Sequence, residues 1–341
     1  LDNKNLTEFI EKLRQLYICD TLTASQIPVQ VSHLVKIDFD FDTLDGQNIL
    51  DNLIELSVYL NNYDADLYPE KFKDGYKQFP VNYSGNEKCN LPVNDILNFI
   101  KEGKKGYLAK INILGGNIFE YDQFKELVVF LNSTDQKKEY YHYYKDSIDV
   151  DKLKMIGKNS MFNIVVDFPI DENCLKKTNQ IFSSAKIAAS AIFIVESETD
   201  ISIAENISAK LSFSVVKITP YFNKSNSGFF LEEVYVDKAD IYESKPSQDE
   251  LFKNQVLNSF NFGRLTILNN GNVYTNINCS SVGTIRDSVF EIVFSALKCK
   301  KTWRLTREDV SPCSKCVYKM LCPPITNYEK VLGRYNLCTI L

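Results

Sequence analysis

From Asn52 onward the chain alternates short β-forming runs with amphipathic segments of helical period, and no other feature restricts the fold so tightly. The β-forming runs are Glu55–Leu60, Tyr107–Leu114, Glu139–Tyr144, Met161–Phe168, Ala191–Glu196 and Ser212–Thr219. Between them lie helix candidates Val93–Lys101, Tyr121–Leu131, Asp149–Ile156, Glu172–Ser183 and Ile201–Lys210. Strands joined by helical crossovers predict a parallel sheet with right-handed connections, because a parallel neighbour can be reached only by a long return. Whether that sheet is open or curls into a barrel is left undecided by the pattern.

The flanks differ. Residues 4–17 carry Leu6, Phe9, Ile10, Leu13 and Leu16 on one helical stripe. Leu34–Phe41 reads as a strand whose Asp38 and Asp40, continued by Asp42, mark a solvated face rather than a metal site. After Pro220 the sequence turns mixed and polar, and a domain boundary is expected near Lys253 to Ser259. Beyond it, Arg264–Leu268 and Val273–Ile277 flank Asn269-Asn270-Gly271-Asn272, a strong hairpin signal, and Asp287–Leu297 reads as a helix.

Four of the nine cysteines, Cys313, Cys316, Cys322 and Cys338, fall in the last 29 residues. Thiols converging from such short loops are the donor set of a metal or cluster site, and both zinc and [4Fe–4S] accept four cysteines. Pro323-Pro324 stops any helix after Cys322, so the chain can turn back and return Cys338 to the other three. Cys19, Cys89, Cys174 and Cys299 read as packing residues, and Cys279 as a core cysteine at a strand end in preference to a leftover ligand. His33 and His142 are the only histidines and lie in separate elements, which excludes a histidine-rich metal site. Tyr140 to Tyr144, with His142 among them, suit either a peptide groove or alternating burial in a strand.

With 341 residues, 44% of them hydrophobic, the chain can bury a full core. A net charge of −5 with scattered basic residues argues against nucleic-acid and charged membrane surfaces. The longest apolar run, Ile187 to Val195, is about half of a bilayer span. Position 1 is Leu with no leader pattern after it, so further residues are expected upstream. The odd cysteine count does not suit a secreted disulfide framework, and a cytoplasmic location is expected.

The order of these segments, ending in the hairpin FGRLTILNNGNVYTNINC, a helix, C-x2-C-x5-C and a last cysteine, resembles radical SAM proteins carrying a SPASM-type C-terminal domain. The CPPITNYE stretch is similar to pseudo-radical-SAM members of the GG-type peptide-maturation systems of Bacteroidales. The resemblance implies an α/β fold, with a partial (β/α)6 TIM-like barrel over residues 1–255 and a small cysteine-rich SPASM-like domain over 256–341.

Family members hold their catalytic cluster with C-x3-C-x2-C in the loop after the first strand; the corresponding loop here, from Asn61, contains Cys89 alone. The family's Gly-Gly-Glu-Pro at the second strand is replaced by Gly115, Gly116, Asn117 and Ile118. S-adenosylmethionine is therefore not expected as a cofactor. Thr326 stands where a further SPASM cysteine would be, and the resemblance implies one [4Fe–4S] cluster, with zinc as the alternative, on Cys313, Cys316, Cys322 and Cys338. It also implies a non-catalytic accessory role in maturing a ribosomal peptide product, with the precursor peptide or a partner radical SAM maturase as partner. The alternative is an iron–sulfur electron-transfer protein serving such a partner.

Overall fold

A computed structural model describes residues 3–15, 48–62, 77–78, 89–157, 159–211, 213–299 and 301–340. The strand expected at Leu34–Phe41, Cys19 and His33 lie outside the described residues. A first helix, α1 (Asn3–Gln15), forms where the stripe predicts it, with Leu6 and Phe9 exposed.

Six strands then appear at the six expected places. In chain order the elements are β1 (Glu55–Tyr59), α2 (Val93–Gly103), β2 (Lys110–Leu114), α3 (Phe124–Asn132), β3 (Lys137–Tyr143) and α4 (Val150–Lys154). They continue with β4 (Ser160–Asp167), α5 (Glu172–Ala185), β5 (Ala188–Val195), α6 (Glu198–Lys210) and β6 (Val215–Pro220). Side-chain caps set several helix starts: Asp149, Asp171 and Ser197 each accept backbone N–H groups of the first turn. The Ser197 cap is why α6 begins three residues before its apolar stripe suggests. In turn, α3 starts late because Asn117 caps a separate 3-10 turn over Ile118–Glu120. β2 also starts late, since Tyr107 lies outside on the surface and the chain joins β1 only at Ala109 and Lys110, which share the Ile54 carbonyl.

Three short helices follow, α7 (Ser227–Glu233), α8 (Lys238–Ser244) and α9 (Gln248–Val256), then β7 (Arg264–Ile267), β8 (Asn272–Tyr274), β9 (Gly283–Thr284), α10 (Val289–Lys298) and α11 (Asn327–Leu332). The hairpin turn has Gly271 at φ +85°, a conformation open to glycine at little cost. Among the described residues, nine strands form one sheet in the order β6-β5-β4-β3-β2-β1-β7-β8-β9. β1 pairs in parallel with β2 on one side and with β7 on the other, and only β7–β8 and β8–β9 run antiparallel.

Register assigns the two faces, because directly paired residues point the same way. Leu56, Val58, Ile111, Ile113, Phe162, Ile164, Phe193 and Leu265 join residues of α2, α3, α5, α6 and α10 in the main core. The opposite face carries Tyr59, Leu114, Tyr141, Val165, Ile194 and Leu268, a smaller cluster without helical members. Among the described residues, the helices between the parallel strands therefore pack on one face. α8 and α9 contribute Ile241 and Leu251 to a core shared with Leu321, so segments on both sides of residue 255 pack together. Among the described residues no helix is long and apolar enough to cross a membrane.

Candidate functional site

In α/β sheets, ligands gather at the carboxyl ends of the strands, and here those ends are tied to one another. Gly115, at φ +141°, brings the end of β2 so close to β1 that a Cβ would lie 2.8 Å from the Asn61 carbonyl oxygen. Gly116 donates its N–H to that same oxygen at 2.9 Å. The Asn61 amide donates to the Asn117 carbonyl at 3.1 Å, and the Asn117 amide donates to the backbone and hydroxyl oxygens of Ser147. Asn117 also accepts from Phe119 N and is fully buried. An amide engaged on every side thus closes the turn after β2.

The loop after β1 is described at Lys77, Gln78 and from Cys89 onward. Gln78 exchanges two hydrogen bonds with the backbone of Phe222, just past β6, at 2.7 and 2.8 Å. Lys77 exchanges two with the side chain of Asn278, just past β8, also at 2.7 and 2.8 Å. Cys89 donates its N–H to Asn62 Oδ1, while its thiol meets the carbonyl and amide of Asn269 at 3.3 Å.

The face opposite the main core is polar toward the amino ends of the strands. Lys110 bridges Glu55 and Glu139, Arg264 meets Glu55, and Asn163 links Glu139 to Ser190. Burial alone raises the Glu139 pKa, but Lys137, Lys110 and Asn163 outweigh it and hold the carboxyl below its ordinary value. A shallow cleft opens beside this network, lined in part by Glu55, Tyr59, Arg264, Asn276 and Asn327.

The tyrosine run divides between the faces. Tyr141 lies on the face opposite the main core, Tyr143 donates to Asp167 at 2.8 Å, and Tyr140 and Tyr144 join the main core. Burial drives the Tyr141 and Tyr143 pKa values well above the ordinary phenol. His142 sits edge-on to Phe119 and Phe182. Burial pushes its pKa down to about 4, opposed by the Asp146 backbone, and neither ring nitrogen has a partner of ordinary hydrogen-bond geometry.

The cysteine-rich tail is organised by a residue that the sequence did not single out. Arg307 donates to the carbonyls of Pro323, Pro324 and Tyr335 and to Glu329 Oε1, the last at 2.7 Å, and one of its nitrogens lies 4.0 Å from the Cys313 sulfur. The Cys313 thiol also donates to the Tyr335 carbonyl, Tyr318 N–H points at the Cys316 sulfur at 3.4 Å, and Cys338 forms a parallel bridge with Val236. Burial raises the Cys313 thiol and pushes the Cys322 thiol up to about 11; Arg307 opposes both, and the neighbouring cysteines add to both. Cys322 thus lies within electrostatic reach of the other three thiols. Their chemistry fits a thiolate-bound group: soft donors, a backbone N–H on sulfur and a buried cation alongside. Their present spacing is wider, since no three His, Cys, Asp or Glu side chains among the described residues are close enough to hold a metal ion.

Cys174 packs against the Tyr144 carbonyl and Cys299 follows α10, both half-buried. Cys279 differs from the expected core cysteine: it is half-buried, and Lys330 Nζ lies 2.9 Å from its sulfur.

No family profile matches the sequence, and no curated protein matches it. Solved structures do. The chain is similar to SuiB of Streptococcus suis at 13% identity and a TM-score of 0.59, covering 98% of this chain and 85% of that one. SuiB bound to S-adenosylmethionine (12%, TM-score 0.58) and SuiB bound to precursor peptide SuiA (13%, TM-score 0.55) match over the same shares. At this identity the likeness is one of fold: a mixed α/β chain built on a large, mostly parallel sheet, arranged as in SuiB.

Proposed function

We propose that this chain is a radical-SAM-like accessory protein of ribosomal peptide maturation, which binds a precursor peptide or supports a partner maturase without cleaving S-adenosylmethionine itself. In this reading residues 1–255 are a partial (β/α)6 barrel, and residues 256–341 are a SPASM-like segment that holds one four-cysteine site. The carrying observation is the likeness in fold to SuiB, one of whose structures contains a precursor peptide, over 98% of a chain whose second-strand turn is closed by Asn117. Cys313, Cys316, Cys322 and Cys338 would hold the group, and Arg307 would fix the loops that present them. A [4Fe–4S] cluster would supply electron transfer there, and zinc would supply a structural clip.

Anaerobically purified protein, incubated with S-adenosylmethionine and reductant, should release no 5′-deoxyadenosine while retaining a short precursor peptide encoded beside its gene in a pull-down. Release of 5′-deoxyadenosine above the protein-free blank refutes the non-catalytic part, and failure to retain either peptide or maturase refutes the accessory role. The electron-transfer reading draws on the half-exposed positions of Cys316, Cys322 and Cys338, which would set a cluster near the surface. It requires a brown, four-iron protein with a reducible chromophore.

A further inference from the structure

Cys279 and Lys330 come from segments far apart in sequence and are held together by more than their own contact. Cys279 N–H donates to the Asn276 carbonyl at 2.9 Å, closing a turn after β8. Three residues before each partner, the Asn276 amide donates to Asn327 Oδ1 at 2.7 Å. α11, which carries Lys330, is fixed by a capping box between Thr326 and Glu329 and by the buried Arg307–Glu329 pair. The amine and thiol therefore sit on two braced elements. Their separation of 2.9 Å is shorter than the sulfur contacts of Cys89, Cys174 and Cys316, which span 3.3–3.4 Å. The amine nitrogen is thus held directly against the sulfur.

We propose that this pair is a modification site at which a peroxide drives a covalent sulfenamide between Cys279 Sγ and Lys330 Nζ. The Cys279 thiolate attacks one peroxide oxygen, the O–O bond breaks, and a sulfenic acid forms with loss of one water once the released hydroxide takes a proton. The Lys330 amine, having given up that proton, attacks the sulfur; an S–N bond forms, and the sulfenic hydroxyl leaves with an N–H proton as a second water. In sum, Cys–S⁻ + Lys–NH₃⁺ + H₂O₂ gives Cys–S–NH–Lys + 2 H₂O, with sulfur oxidised and peroxide reduced. Thiols reverse the link by attack on sulfur. Because α11 lies between Cys322 and Cys338, the link staples the returning arm of the cysteine-rich tail to the hairpin.

The test is hydrogen peroxide treatment of the full chain, followed by peptide mapping without reductant. The expected result is a cross-linked peptide containing Cys279 and Lys330, about 2 Da lighter than the sum of its reduced parts, that dithiothreitol resolves. Cys279→Ser should abolish it. Lys330→Arg should leave a sulfenic acid at Cys279 that dimedone traps several-fold more than in the wild type. Oxidation of Cys279 without a link to Lys330, a disulfide from Cys279, an oxygen-bridged link about 14 Da heavier than the sum of the reduced parts, or no oxidation at Cys279 each overturns the proposal. Should Lys330→Arg fold poorly, the wild-type map still decides, since the cross-linked peptide identifies both residues.

Discussion

Replacing Arg307 with Met removes the cation that joins five parts of the cysteine-rich tail. Its partners are the Pro323, Pro324 and Tyr335 carbonyls, the Cys313 sulfur and Glu329, whose side chain is 0% exposed against 9% for Arg307 itself. Truncation strands a carboxylate away from water, for which buried pairs lose about 3–5 kcal/mol. Unpaired carbonyls add about 1 kcal/mol each where water cannot reach them. These contributions overlap, so we expect a loss of about 4 kcal/mol, in the tail of what single substitutions do. Urea unfolding followed by the fluorescence of Trp303, the single tryptophan, reports on the right region, because Trp303 is fully buried and donates its indole N–H to Arg264. Adding Glu329→Gln to Arg307→Met should restore about 2 kcal/mol by removing the stranded charge. An Arg307→Met protein within about 1 kcal/mol of wild type, the value of an exposed pair, would show that Arg307 does not organise the tail.

Two further outcomes follow from the sheet. His142 has a folded pKa of about 4, below the unfolded ~6.5, so the unfolded chain binds more protons between those values; its stabilisation is complete above pH 6.5 and is lost as pH falls toward 4. Between pH 7 and 5 the wild type should lose about 2 kcal/mol that His142→Phe does not, and equal pH slopes in urea unfolding would refute an uncharged buried imidazole. Gly115→Ala should cost about 3 kcal/mol, from its φ of +141° and a Cβ 2.8 Å from Asn61 O; an unchanged Tm would refute the tight approach of β1 and β2.

The alternation of strands and helices was legible because each unit carries its own period and its own cap. Val93, Ile96, Leu97 and Ile100 mark one helix face, and Asp149, Asp171 and Ser197 mark helix starts. The Asn-Gly hairpin was legible for the same local reason. Pairing of β7 with β1 was not, because the partners lie some two hundred residues apart and nothing in either strand encodes the other. Of the candidate site, the cysteines announce themselves by type and spacing. Arg307 does not: its role depends on carbonyls brought to it by Pro323, Pro324 and Tyr335, and an arginine in TREDV carries no periodic or motif signal. Lys330 beside Cys279 is hidden for the same reason, as its partner is reached only through the fold.

The place of β1 in the sheet explains how the two ends of the chain become coupled. With β2 on one side and β7 on the other, β1 releases its following loop between the βα units and the C-terminal hairpin. The described parts of that loop bond to both: Asn62 and Asn269 hold Cys89, Asn278 holds Lys77, and Phe222 holds Gln78. Phe222 follows β6, an end strand of the sheet, while Asn278 follows β8 near the other end. Lys77 and Gln78 are adjacent in sequence, so two neighbouring residues join chain segments that the strand order sets far apart. Tyr328 adds a second tie, donating its hydroxyl to the Pro220 carbonyl at 2.6 Å and packing edge-on against Phe230. Since α11 carries Tyr328, Glu329 and Lys330 in succession, one short helix meets the end of β6, Arg307 and Cys279 together. A displacement of α11 must therefore be felt at the strand ends and in the cysteine-rich tail alike, because the same turn of helix is bonded to both.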